Sequence, residues 1–520
     1  MPMLRLPLRI LVAALTLSVV AACTLMESPG PSPSAGDTAS EPPTATAAAS
    51  PTAIPSPTPD PDVEVPLAVV TGYMNLKSDI TAAEVDAALV ANTMYNTCPP
   101  RPLGAVDPEP LCLNADEIVP HLKANPQDLA FLPWNLVTPE VKVLPVDGAD
   151  LFGSEEARTQ PYPYTVNVPA DFGWEPYDVS RIRTMISPGN MCHDRGPAHA
   201  AITLGRGWDW VFGGGTAVYD GFNAPGGIST INVVPTGNEG AMAELLRSGD
   251  VTIAEIECPF VDDWTVNNGT IFSLDPATIP LLRDTYGADV ILFAANHPFD
   301  QGVEGFIESL EHFEANGLPY AGAGRNLEEA LTPATVEVNG LTFGFTGHNE
   351  IPGPIPAGPD QPGVLWLTNE YHVTESVRRA REVADVVICV PQWWGGEEYH
   401  YDWRPSQRQQ QDAYFEAGCD HVLGQGTHYA GPLDLDVDGD GKARLTVMSS
   451  GNFLFGQGWS QDTMEGVVFE LTFRDTDLVQ ARMHPYVTMD QAQTNLLDPE
   501  GDGRYVLERI FEHSAADLND

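Results

Sequence analysis

The sequence predicts an α/β fold: a mixed sheet, or two sheets, flanked by helices. Three observations carry this. Apolar strand-like runs recur, each ending in a polar or glycine-rich corner; amphipathic helical segments fall between them; and the hairpin "TVEVNGLTFGF" turns at Asn339-Gly340, a pair suited to a type I′ turn.

Taken in order, residues 1–22 carry Arg5 and Arg9 and then an apolar run from Ile10 to Ala22, too short to span a bilayer as a mature helix. This pattern predicts an export signal. It ends in Val20-Ala21-Ala22-Cys23, which resembles the bacterial lipobox, so Cys23 is the expected lipidation site. Residues 23–62, dense in Ser, Pro, Thr and Ala, have nothing with which to build a core and fit a solvated tether. The expected location is therefore extracytoplasmic, lipid-anchored to a bacterial membrane. No later apolar run is long enough to cross one.

Residues 63–153 read as a small α/β unit. Thr81 with Glu84 and Asn114 with Glu117 have capping-box spacing and mark two helix starts. Residues 154–183, rich in Pro and aromatics, read as an extended linker. The strand-and-corner theme fills residues 184–520. In "VEGFIESLEHFEANG" Phe306, Ile307, Leu310 and Phe313 share one helical face, and Gly317 is placed to end the helix.

Acids number 72 against 25 Lys plus Arg, a net charge of −47. That argues against nucleic acid as a partner, which needs basic clusters, and fits a heavily solvated surface in a salty habitat equally well. Besides Cys23 there are six cysteines, which allow fifteen pairings in an exported chain. Cys98 and Cys112 are near enough in sequence for local closure, and Cys389, inside "DVVICV", reads as a buried free thiol. "DVDGDG", Asp436 to Gly441, has the alternating acids of a calcium loop but Val447 where the bidentate Glu belongs, and reads as an acidic hairpin turn.

The corners collect chemistry: Asn190, His193 and Asp194; Glu255 and Glu257; Asn296, His297 and Asp300; Glu397 and Glu398; Gln425 and His428; Asn452. Each alone is an ordinary loop polar group. Carboxylates, amides and imidazoles converging from successive strand ends are the donors that a divalent metal site uses.

The run from "ADVILFAANHPFDQG" through "GAGRN" to the hairpin resembles the poly-γ-glutamate capsule biosynthesis (CapA-like) family, and the likeness extends from about Thr184 to Val487. The resemblance implies the calcineurin-like metallophosphatase fold, a two-sheet sandwich with helices on both outer faces. It implies a metal-dependent hydrolase site in which Asn296, Glu257, His428 and Asn190 or Asp194 hold Mn, Zn, Fe or Mg, and His297 with Asp300 supplies acid–base or leaving-group contacts. Arg195, Glu255, Trp394, Glu398 and Asn452 are the implied site-lining residues.

The likeness is uneven at the ligands. Asn190 stands where the family has its first acid, Trp393 where it has a His, and "GQGTH" keeps only the last His, at His428. Neither Trp nor Gly ligates through its side chain, and Asn brings no charge to offset a dication. These losses argue against a standard two-metal centre. Asp194, Glu255, His193 and His348 are the candidate replacements, while a Cys192–Cys258 bridge would be a structural use of the same corners. Two readings follow: an exported, membrane-tethered protein of poly-γ-glutamate or related polymer synthesis with a divergent hydrolase site, or a non-catalytic binding module on the same fold. An anionic polymer or other envelope component is the expected partner. A chain at −47 repels a polyanion unless its groove is locally basic, which makes Arg195, Arg206, Arg325 and Arg404 the candidates.

Overall fold

The computed structural model describes residues 62–98, 111–223, 230–266, 269–438 and 442–519. The expected signal, Cys23 and all of the tether except Asp62 lie outside these residues, as does the tip of the acidic 436–441 run.

Two large sheets face one another. The nine-stranded sheet runs Thr230–Gly237, Thr216–Asn223, Gln493–Leu496, Asp477–Met489, Glu465–Arg474, Ile182–Ser187, Val251–Glu255, Val290–Leu292, Tyr320–Ala321. The six-stranded sheet runs Ala334–Val338, Leu341–Asn349, Val386–Gln392, His421–Leu423, Ala443–Val447, Leu433–Val437. Each has a parallel core extended by antiparallel hairpins. At the Asn339-Gly340 turn both residues take positive φ, +49° and +78°, as a type I′ turn requires.

The inner faces interdigitate through Ile253, Leu292, Phe343, Ile388, Val447 and Phe469, all buried. Helices cover the outside. Gly302–Ala315 lays Phe306, Leu310 and Phe313 on the nine-stranded sheet, while Glu370–Val383 and Pro405–Ala417 cover the six-stranded one. The protein is thus a two-sheet α/β sandwich with helices on both outer faces, and alternate strand residues face inward or outward with period two.

Residues 62–169 add a six-stranded sheet of their own, centred on Asp62–Gly72. Both predicted capping boxes form. Within 154–183, read as linker, the strand Thr165–Pro169 pairs with Asp62–Gly72. Polar staples tie this sheet to the sandwich. Arg158 grips Asp250 bidentately at 2.8 and 2.9 Å, and Arg482 reaches Asp150 at 2.8 Å.

All six described cysteines pair: Cys98–Cys112, Cys192–Cys258 and Cys389–Cys419. Cys389 is therefore not a free thiol. It points outward beneath the helices, where Cys419 at the end of the Pro405–Ala417 helix meets it, with Cα atoms 6.2 Å apart.

Arg482 also pairs with Glu470, directly across the ladder, and His484 binds the same carboxylate at 2.7 Å. Burial alone would raise the Glu470 carboxyl, but Arg482 and His484 outweigh it and bring it down from 4.5 to about 2. A depressed folded-state pKa contributes stability that is complete above the unfolded value and lost as pH falls from about 4.5 to about 2. Glu470→Gln should therefore cost about 3 kcal/mol at neutral pH, an advantage of the native chain that shrinks below pH ~4.5, measured by urea unfolding across that range.

Candidate functional site

The parallel strands of both sheets deliver polar residues to one rim. On Val251–Glu255 and its continuation, Val251 and Ile253 face the other sheet, so Glu255 and Glu257 do too, while Cys258 turns outward to Cys192. The short parallel pair Asn190–Cys192 with Asn452–Phe455 sets Asn190 opposite Asn452. The Val290–Leu292 strand ends in the Asn296-His297 corner, and Gly302 begins the helix behind it.

Glu257 is at the centre. It has no exposed surface, accepts a short hydrogen bond from Asn190 Nδ2, and lies 3.8 Å from His297 Nε2. His297 Nδ1 meets Asp300 Oδ2 at 2.9 Å, and Asp300 is itself positioned by the Phe272 backbone N–H at 2.8 Å. Burial alone would lower the His297 pKa, but the Asp300 hydrogen bond and the charges of Glu257, Asp300 and Glu398 hold it above its ordinary 6.5. Glu255 moves upward as well: burial, with Glu257 beside it, raises its pKa well above 4.5.

The opposite wall is built on His428. Its Nδ1 is 2.8 Å from Asn452 Oδ1, and because the Asn452 amide N–H groups go to Gln457 and Thr463, that ring nitrogen donates. His428 Nε2 lies 4.0 Å from Glu398 Oε2. Tyr399 stacks on the imidazole at 5.3 Å between ring centres. Arg195, Tyr399 and His428 take φ of +50°, +58° and +60°, conformations that non-glycine residues rarely adopt and that gather around sites where a side chain must be aimed.

The remaining predicted residues divide. Arg195 lines the pocket, its guanidinium 4.5 Å over Phe272 and its Nε donating to Gly269 O. Asn296 accepts from Gln392 at 3.4 Å. Trp394 reaches the rim through its backbone N–H, which Glu350 accepts at 2.9 Å. Asp194 turns away: its two carboxylate oxygens accept the backbone N–H groups of Arg195 and Ser273. His193 lies among Trp208, Phe212 and Phe260 with Nε2 on Thr278, and burial lowers its pKa to about 3. His348 points outward to Ser376 and Tyr414. Neither imidazole replaces a lost ligand.

Trp393 explains the lost histidine. Gln392 continues the inward parity of Ile388 and Val390, so Trp393 points outward, where its indole donates to Met448 O at 2.8 Å. Any side chain at Gly424 would collide with that indole, so the Trp and the Gly go together. Sequence reasoning did not find Gln392 or Phe272. Gln392 sits one residue before the Trp-Trp-Gly-Gly motif and could have been found by strand parity; Phe272 lies in a loop with no pattern.

A pair of divalent ions does not fit this donor set. Of the inward carboxylates, Glu257 is fully buried and Glu255 is raised in pKa by burial and by Glu257; Asp194 is taken by backbone donors, and positions 393 and 426, where the resemblance implies histidines, are Trp and Gly. Among the described residues, the group of three His, Asp or Glu with ligand atoms within 4.8 Å of one another is Asp262, Glu308 and His312, on the outer helix and the loop against it.

Because Glu257 and Asp300 sustain the imidazolium, Glu257→Gln and Asp300→Asn should each lower the His297 pKa. Asp300→Asn should have the larger effect, since it also removes the hydrogen-bonded partner. An NMR titration of the imidazole measures both; an unmoved midpoint would break the electrostatic assignment.

Residues 209–457 match the family model "Bacterial capsule synthesis protein PGA_cap". The PGA biosynthesis protein CapA of Bacillus subtilis is 32% identical over 186 residues, 35% of this chain and 47% of the relative. The capsule biosynthesis protein CapA of Bacillus anthracis is 31% identical over 198 residues, 36% of this chain and 45% of the relative. The chain thus spans about half the length of the curated relatives it matches. Among solved structures, the NAD nucleotidase of Haemophilus influenzae superposes with a TM-score of 0.32 at 10% identity, covering 64% of this chain and 56% of that one. The matched segment holds Glu257, Asn296, His297, Asp300, Glu398, His428 and Asn452, and over it this chain is similar to the bacterial capsule synthesis PGA_cap model and to the two CapA proteins.

Proposed function

We propose that this chain is an exported, lipid-anchored accessory protein in the synthesis or handling of poly-γ-glutamate or a related surface polymer, and that its strand-end pocket acts through His297, Glu257 and Arg195 without a two-metal centre. The observation that carries the reading is that the PGA_cap match contains an assembled cluster in which the buried Glu257 carboxylate lies 3.8 Å from the His297 imidazole, whose pKa is raised. The pairing of all six described cysteines supports an oxidising compartment, as the signal-like N-terminus does.

Two features suit a polyamide that carries carboxylates. Asn190 Oδ1, Glu255 Oε2, Glu257 Oε1 and Gln392 Oε1 are buried acceptors without donors, and the N–H groups of an amide or amine would supply them. Arg195, Arg206 and His199 line one cavity of about 610 Å³; Arg206 is paired there with Asp490 at 2.8 Å, which leaves the Arg195 guanidinium as the cation that a chain at −47 has to offer an anion. Arg325 and Arg404 are likewise paired, with Glu314, Glu329 and Glu397. With substrate in place, His297 would donate its Nε2 proton to a leaving or carbonyl atom, and Glu257 would hold the imidazolium until then.

Poly-γ-glutamate binding by the full chain at low and high salt tests this. Arg195→Ala should weaken binding at least tenfold at low salt, and His297→Ala should spare binding but abolish any change in polymer length. Binding indifferent to Arg195 and processing indifferent to His297 would contradict the reading.

A further inference from the structure

Between the N-terminal sheet, the Asp477–Met489 strand and the C-terminal helix Arg504–Asn519 lies a cavity of about 470 Å³ that the strand-end pocket does not use. Its walls are apolar: Tyr73 and Leu76 from one side, Met483 and Leu497 from the second, Leu507 and Phe511 from the third. The volume and character are those of a small-molecule site.

Lys142, Arg482 and His484 border it, with Asp79 and Asp498. Lys142, on the Val141–Val143 strand, hydrogen-bonds to Asn75 O and forms no ion pair with a described carboxylate. Neighbouring cations are already matched: Arg482 has Asp150 and Glu470, and His484 has Glu470. Burial and the adjacent Arg482 push the Lys142 pKa down to about 7, with Glu500 offsetting only part of this. A half-buried ammonium against hydrocarbon is costly, and Met in its place would fill the wall without that cost.

The geometry points to a binding site for a small amphiphilic carboxylate, its apolar body against Tyr73, Leu497 and Phe511 and its acid group on the Lys142 ammonium. A single negative charge matches the single unmatched cation. A phosphate dianion would leave charge uncompensated and would face Asp79 and Asp498 at the exposed rim. An anion on Lys142 also restores the proton that burial discourages, so binding and protonation reinforce one another.

The test is calorimetry on the full chain carrying Cys23→Ala, so that no lipid is attached, with octanoate and its neutral isostere octanamide as probes. One equivalent of octanoate should bind, at least tenfold more tightly than octanamide. Lys142→Met should bring the two probes to equal affinity, and Leu497→Trp should remove binding of both, with thermal melting confirming that each variant is folded. Absence of saturable octanoate binding to the parent chain, equal affinity for the two probes there, or a preference that survives Lys142→Met would overturn the proposal. The parent-chain comparison decides the matter even if a variant fails to fold.

Discussion

A carboxylate with no access to water must find its compensation inside the protein, and at the rim of this sandwich that requirement falls on Glu257. Its neighbours meet it in turn. Asn190 gives a donor N–H, His297 places its Nε2 3.8 Å away, and Asp300 orients that imidazole and helps hold its pKa above the ordinary 6.5. The amide at Asn190 becomes intelligible in this light. A second acid beside Glu257, without a dication to neutralise both, would set two like charges together; the effect is visible at Glu255, which Glu257 and burial drive well above the usual carboxylate range. Asn190 and the outward Trp393 thus belong to one arrangement, in which hydrogen-bond donors and the raised-pKa imidazole of His297 face the buried acid.

Strand parity decides which residues take part. Ile388, Val390 and Gln392 face the opposing sheet while Val387, Cys389 and Trp393 face the helices, and the same alternation sends Glu255 and Glu257 inward and Cys258 outward. A shift of one residue would exchange the sets. His193, Asp194 and His348 are close in sequence to the right corners, yet each spends its polar atoms elsewhere, in the outer layer or on backbone donors.

This parity also explains how far the sequence could be read. Local signals were legible: the capping boxes at Thr81 and Asn114, the Asn339-Gly340 turn and the Phe306, Leu310 and Phe313 face all rest on neighbours within a few residues. The strand-end placement of Glu257, Asn296, His297 and His428 was legible because polar corners recurred after apolar runs. Contacts set by tertiary register were not. Cys389 meets a partner 30 residues away, a pair that three of the fifteen schemes contain, and Phe272 is brought to His297 and Arg195 by a loop without periodicity. Lys142 belongs with these, because the cavity it borders is completed by the C-terminal helix, far along the chain.

The central claim is that hydrogen bonds and the His297 imidazole hold this pocket, where the sequence resemblance alone implied a metal-dependent site. Native mass spectrometry of the intact chain, after exposure to Mn, Zn and Fe and exchange into metal-free buffer, tests it most directly. The account predicts fewer than one ion retained per chain, with no change on Glu257→Ala. Two ions per chain, lost on Glu257→Ala, would contradict it.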